Sequence, residues 1–149
     1  MGSESVERNL DKPIRGKLLL PEKLNPIAER LVEIIRRKME SAGIEDLTAE
    51  AVDPKGRKWS IELGIDGTTL LIQRVGATGI IKHSYRVTKS VSHPDASGRE
   101  QATPAHISVI NTKGNPIRAN SDVAANVVEK AINSLKITKP LTPRRIFGQ

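Results

Sequence analysis

The chain has 149 residues, a net charge of +7, no cysteine, and one residue each of Trp, Tyr and Phe. That length supports a single core without metals or crosslinks, and the absence of cysteine excludes disulfides and thiolate chemistry. No apolar run approaches the roughly 20 residues of a membrane-spanning helix, so no membrane partner is expected.

With so few aromatics, the core must be built from Ile, Leu, Val and Ala. The first residues, Met-Gly-Ser-Glu-Ser-Val-Glu-Arg, lack the charged-then-apolar pattern of a cleaved signal. The expected location is the cytoplasm or the interior of a virion. Charge is uneven along the chain. Residues 1–66 carry 12 Lys/Arg against 13 Asp/Glu, and residues 67–149 carry 12 against 4. A basic half of this kind suits a polyanion or an acidic protein surface.

Residues 1–21 are polar, mixed in charge and broken by Pro13, Gly16 and Pro21. They read as an N-terminal arm. Ile14, Leu18, Leu19 and Leu20 form an apolar patch on it, expected to dock on its own domain or on a neighbour. The single α+β domain follows, over 22–136.

The first helix is expected to start at Asn25 as N-cap, with Pro26 in the first turn. Ile27, Leu31, Ile34, Ile35 and Met39 recur at helical spacing. Gly43 supplies the left-handed stop. Arg36, Arg37 and Lys38 fall in the last turn, where positive charge suits the helix dipole.

A strand over 47–52 leads into Asp53-Pro54-Lys55-Gly56, the residue order of a type I turn. The segment 57–63 alternates, with Trp59, Ile61 and Leu63 on one face. Trp59 reads as a core anchor or a lid at the sheet end, with stacking on a nucleobase as its functional alternative. Strand 68–75 contains the apolar trio Leu70-Leu71-Ile72. Apolar residues on both faces mark a central strand, or one whose second face a partner covers. Strand 80–88 alternates again, and Gly64–Gly67 and Gly76–Gly79 are the turns of this meander.

Residues 89–104 lose all periodicity and read as a long polar loop, the first place to seek a partner contact. A fifth strand over 105–112 and a turn at 113–116 precede a second helix, capped by Asn120 or Ser121. Val123, Val127, Ala131 and Leu135 form its apolar stripe. Residues 137–149 contain two prolines and no acid, and read as a basic C-terminal arm. Its apolar tip, Ile146 and Phe147, is a second docking candidate.

The sequence carries no P-loop, dinucleotide fingerprint, zinc-protease helix or nucleophile elbow. No cofactor, metal or catalytic residue is expected. The strongest functional signal is the basic set Arg74, Lys82, Arg86, Lys89, Arg99, Lys113, Arg118, Lys136, Lys139, Arg144 and Arg145. On one surface these residues would read a nucleic-acid backbone without regard to sequence, as DNA or RNA. If strands four and five pair antiparallel, His83 and His106 would approach one another. With Asp95, Arg99 or Glu100 they would then suit a small basic nuclease or toxin-like enzyme.

The leading expectation is a non-enzymatic assembly subunit. Its arms and long loop would reach neighbouring subunits of a homo-oligomer or larger complex, such as a viral or phage particle or a nucleoprotein.

Overall fold

A computed structural model describes residues 16–76, 78, 81–110 and 116–140. Two helices pack on one face of an antiparallel sheet. Helix α1 spans Pro21–Ser41. The meander follows as β1 (Thr48–Val52), β2 (Lys58–Leu63), β3 (Thr69–Val75) and β4 (Ile81–Thr88). Next come β5 (Val91–Pro94), β6 (Glu100–Thr103), β7 (His106–Ile110) and β8 (Pro116–Ala119). Helix α2 spans Asp122–Ser134, and β9 spans Lys136–Pro140. Seven strands form one sheet in the order β8-β7-β4-β3-β2-β1-β9, and β5 and β6 pair with each other.

The period-two pattern places the core on one sheet face. Trp59, Ile61 and Leu63 of β2, Leu70 and Ile72 of β3, Tyr85 and Val87 of β4, and Ile107 and Val109 of β7 are all buried. Cross-strand register lines them up: Ile61 pairs with Ile72, which pairs with Tyr85. Leu24, Ala28, Leu31, Val32, Ile35 and Met39 of α1 cover this face, with Ala124, Ala125, Val128 and Ile132 of α2. Arg30 and Glu129 join the two helices by an ion pair at 2.8 Å.

Helix α1 starts five residues before its expected first turn. Pro21 takes the first helical position and Leu20 is the N-cap, so Pro26 lies inside the helix. The Asn25 side chain does not cap; its Oδ1 accepts from the Ala105 amide at 3.0 Å, across to the start of β7. Gly43 does hold the left-handed conformation, at φ 76°. At α2 the Ser121 side chain is the cap and accepts from the Ala124 amide at 3.1 Å. Asn120 supports it from outside the helix, its side chain accepting from the Ile107 amide at 2.9 Å.

The segment read as a structureless loop contains the β5–β6 hairpin. Asp95 closes its turn: Oδ1 accepts from the amides of Ser97 and Arg99, both at 2.9 Å, and Oδ2 from Gln101 Nε2 at 2.9 Å. These bonds hold its carboxyl down at about 2. The C-terminal arm is also structured at its base, because β9 pairs antiparallel with β1 as an edge strand. Ile137 lies opposite Ala51 and packs against the core.

Lys38 serves the neighbouring helix rather than its own. Helix α2 has no basic residue in its last turn, and the last carbonyls of a helix lack intrahelical partners. Lys38 Nζ donates to the carbonyls of Ile132, Asn133 and Leu135 at 2.9, 3.1 and 2.6 Å. All three ammonium donors are engaged, at the negative end of the α2 dipole. Burial lowers the Lys38 pKa. Lys38→Met keeps the apolar stem but orphans these carbonyls. The expected loss is about 1–2 kcal/mol of unfolding free energy, read from urea denaturation.

Candidate functional site

The second face of the large sheet carries no described helix. Register places its side chains in rows. One runs Glu62, Leu71, Arg86 and Ser108 across β2, β3, β4 and β7. Another runs Lys139, Glu50, Ser60, Gln73, Ser84 and Ile110. Ser84 and Ser108 are nearly inaccessible, at 5% and 3%, although no helix covers them; their short side chains sit between longer neighbours. Gln73 Nε2 reaches Ser84 Oγ at 3.4 Å. The open face therefore carries Glu62 and Arg86 on either side of Leu71, with Glu50, Lys136 and Lys139 toward the β9 edge. Leu71 sits in a hollow of about 530 Å³ that Glu62, Thr69, Arg86 and Thr88 also line.

The basic set is distributed over the molecule. Arg86 lies on the open face, as do Lys136 and Lys139 of the β9 edge, with Lys139 3.8 Å from Glu50. Arg74 lies on the helix-covered face, opposite Trp59 on one side and His83 on the other. Lys89 borders a hollow at the start of α1, with Pro26 and Glu29. Arg99 ends the β5–β6 turn. Lys82 lies in β4 and Arg118 in β8. Lys113, Arg144 and Arg145 lie outside the described residues, as do Ile14, Ile146 and Phe147. Within the leucine patch, Leu19 packs against the core, while Leu18 and Leu20 are 66% and 63% exposed. Leu18 bridges to Ser121, and the Leu19 amide donates to the Asn120 carbonyl at 2.8 Å. The patch thus docks in cis through its middle residue.

The two histidines expected to converge do not. β4 and β7 do pair antiparallel, but His106 falls opposite Thr88 and His83 falls opposite Arg74. The offset of five residues from Thr88 to His83 amounts to about 17 Å along a strand. The odd separation also puts the two histidines on opposite faces. Asp95 is engaged in its own turn, where it accepts from the Arg99 backbone amide, and Glu100 accepts from Ser92 Oγ at 2.6 Å. The acid–base set proposed for a nuclease is therefore not assembled.

His83 instead joins Trp59 and Tyr85, in a chain with almost no other aromatics. The Trp59 and His83 rings lie 6.3 Å apart and within 16° of parallel. Trp59 and Tyr85 are 5.7 Å apart. Trp59 is only 6% exposed, in keeping with a lid at the sheet end, and its ring is not open to a nucleobase. Asp53 fixes it. Asp53 Oδ2 accepts from Trp59 Nε1 at 3.0 Å and from Arg57 Nε at 2.8 Å. Its Oδ1 accepts from the Lys55 and Arg57 amides, both at 2.9 Å. Burial pushes this carboxyl up, but the four bonds together outweigh burial and hold it far below the usual carboxylate range.

Arg57 and Lys130, which the basic set leaves out, line a groove of about 500 Å³ with Asp53, Trp59 and Tyr85. Arg74 Nε is buried and lacks a hydrogen-bond partner among the described residues. Burial lowers the His83 pKa, and the charges of Arg74 and Arg57 lower it further. Burial raises the Tyr85 pKa against the same two charges. The signal available in the sequence was the spacing: Arg57 and Trp59 share a strand face, and Arg74 lies opposite Trp59 once the hairpin is drawn.

Among the described residues no group of three or more acidic or histidine side chains is placed to hold a metal, and no helix is long and apolar enough to cross a membrane. No family model matches the chain, and neither a curated protein nor a solved structure matches it.

Proposed function

We propose that the protein is a non-enzymatic assembly subunit whose open sheet face packs on a second copy of the chain. The observation that carries this reading is the placement of Leu71. It lies on β3, the central strand of seven, and points away from the core between Glu62 and Arg86. A twofold axis parallel to β3, lying between the two copies over Leu71, sets the two leucines against each other. The same axis brings Glu62 of each copy over Arg86 of the other, because β2 and β4 flank β3 symmetrically.

Seven strands at about 4.8 Å give a face on the order of 30 Å by 20 Å. That approaches the roughly 800 Å² per partner of a standard interface. Leu18 and Leu20 offer a neighbour a further apolar contact. A viral or phage particle, or a nucleoprotein complex, is the kind of assembly such a subunit would serve.

A second reading rests on charge. Lys58, Arg86, Lys136 and Lys139 share the open face with two acids, Glu50 and Glu62. This excess suits the backbone of DNA or RNA, bound without base readout.

Light scattering coupled to size exclusion at high salt separates the two. The assembly reading expects a dimer or larger that Leu71→Asp converts to monomer. Arg86→Glu should weaken it, and adding Glu62→Arg should restore it. A wild-type monomer at all concentrations sinks self-assembly through this face. Salt-sensitive retention on heparin, lost in Lys58→Gln/Lys136→Gln, would then favour the polyanion reading.

A further inference from the structure

We propose that the two copies pack with their β3 strands running in the same direction, and that Ile65 of each copy fills the hollow beside Leu71 of the other. This placement rests on the assembly reading of the open face. It adds to that reading the relative direction of the copies and the residue that locks them.

Charge selects the direction. Two kinds of twofold axis between the sheets would set Leu71 against Leu71. An axis across the strands leaves each strand over the same strand of the other copy, so Glu62 meets Glu62 and Arg86 meets Arg86. An axis along β3 exchanges the two sides of the face. Glu62 then meets Arg86 twice, because the two residues flank Leu71 on β2 and β4. Opposed like charges suppress the first arrangement, and opposite charges fix the register of the second.

The same rotation decides where Ile65 goes. Ile65 is 92% exposed, the most exposed large apolar side chain among the described residues. It borders the hollow of about 530 Å³ that Thr69, Leu71, Arg86 and Thr88 also line, so Ile65 and Leu71 belong to one patch. Ile65 sits in the turn between β2 and β3, just past the Gly64 amide, which donates to the Thr69 carbonyl at 2.8 Å. Thr69 pairs in turn with Thr88 of β4. Rotation about an axis over β3 therefore carries Ile65 to the β4 side of the partner, above Thr88. The turn holds its shape before any contact. Asp66 Oδ1 accepts from the Thr68 amide at 3.0 Å and from the Thr68 hydroxyl at 2.8 Å. The Gly67 amide donates to the Gly64 carbonyl at 2.9 Å. An anchor held in place in advance lowers the ordering cost of association.

Sedimentation equilibrium of the purified chain at high salt measures the dimer Kd. Ile65→Ser should raise it about tenfold or more, since two apolar contacts are lost per dimer. Its monomer should unfold in urea at the wild-type midpoint, because Ile65 is already in solvent. The chain has no cysteine, so mixtures of single variants report the direction. Ile65→Cys mixed with Thr88→Cys should give a disulfide-linked heterodimer on mild oxidation. Ile65→Cys mixed with Val75→Cys should not. Val75 ends β3 and is 39% exposed, at the end where an axis across the strands would bring Ile65. A dimer that Leu71→Asp disrupts but Ile65→Ser leaves at the wild-type Kd overturns this placement and leaves the assembly reading standing. So does a crosslink from Ile65→Cys to Val75→Cys in place of Thr88→Cys. A wild-type monomer at every concentration overturns both.

Discussion

Asp53→Ala is expected to destabilise the fold by about 3 kcal/mol, from the loss of several hydrogen bonds to one charged acceptor. The carboxylate is 7% exposed and accepts four donors: two backbone amides of its own turn, the Arg57 side chain and the indole of Trp59. Alanine leaves the buried indole N–H unpaired and releases the turn that joins β1 to β2. Asp53→Asn is the sharper comparison. Asparagine can keep an acceptor toward the Lys55 and Arg57 amides, but its NH₂ then faces two donors, Arg57 Nε and Trp59 Nε1. Its loss should fall between wild type and alanine.

The effect should depend on pH in a defined direction. The Asp53 pKa is depressed in the folded state, so its contribution is complete above the unfolded carboxylate value of about 3.9 and is lost as pH falls toward the folded value. The gap between wild type and Asp53→Ala should be constant above about pH 5 and narrow below it. Urea denaturation followed by circular dichroism at several pH values reads this gap directly. A gap that widens in acid would mean that the carboxyl is protonated more readily in the folded chain than in the unfolded one.

The elements readable in the sequence are those whose local pattern and burial agree. Trp59, Ile61 and Leu63 alternate because β2 has one buried face, and Asp53-Pro54-Lys55-Gly56 has the residues its turn requires. Ser121 caps α2 through a bond spanning three residues, so nothing distant had to be known. Where the determining contact is distant, the pattern is silent. β9 has one core-facing apolar residue, Ile137, among lysines, threonine and proline; it is a strand because β1 offers an edge. Every residue of β6 is exposed, so no apolar alternation marks that hairpin. Asp95 and Gly98, at φ 86°, are its local trace. Lys38 looks like a cap for its own helix until α2 is packed beside it. The site residues follow the same rule: Arg74 belongs to a basic set by composition, and its face is decided by the register with Trp59.

The replacement of Ile72 by alanine is expected to cost about 2–5 kcal/mol, the range for emptying a buried aliphatic site. Leu71→Ala, one position earlier, should change monomer stability by less than about 1 kcal/mol. Both residues lie in the central strand and belong to one apolar trio, so hydrophobicity alone does not separate them. Ile72 is fully buried between Ile61 and Tyr85 beneath the helices. Leu71 is half-buried on the open face. Guanidinium unfolding of both variants at low protein concentration measures the contrast. If the open face packs on a second copy, the order reverses in association. Leu71→Ala then lowers dimer affinity while the monomer stays folded, and Ile72→Ala keeps its dimer affinity under conditions where it is folded. Comparable losses of monomer stability at both positions would mean that the isolated chain covers Leu71 with its own residues, leaving that face unable to take a partner.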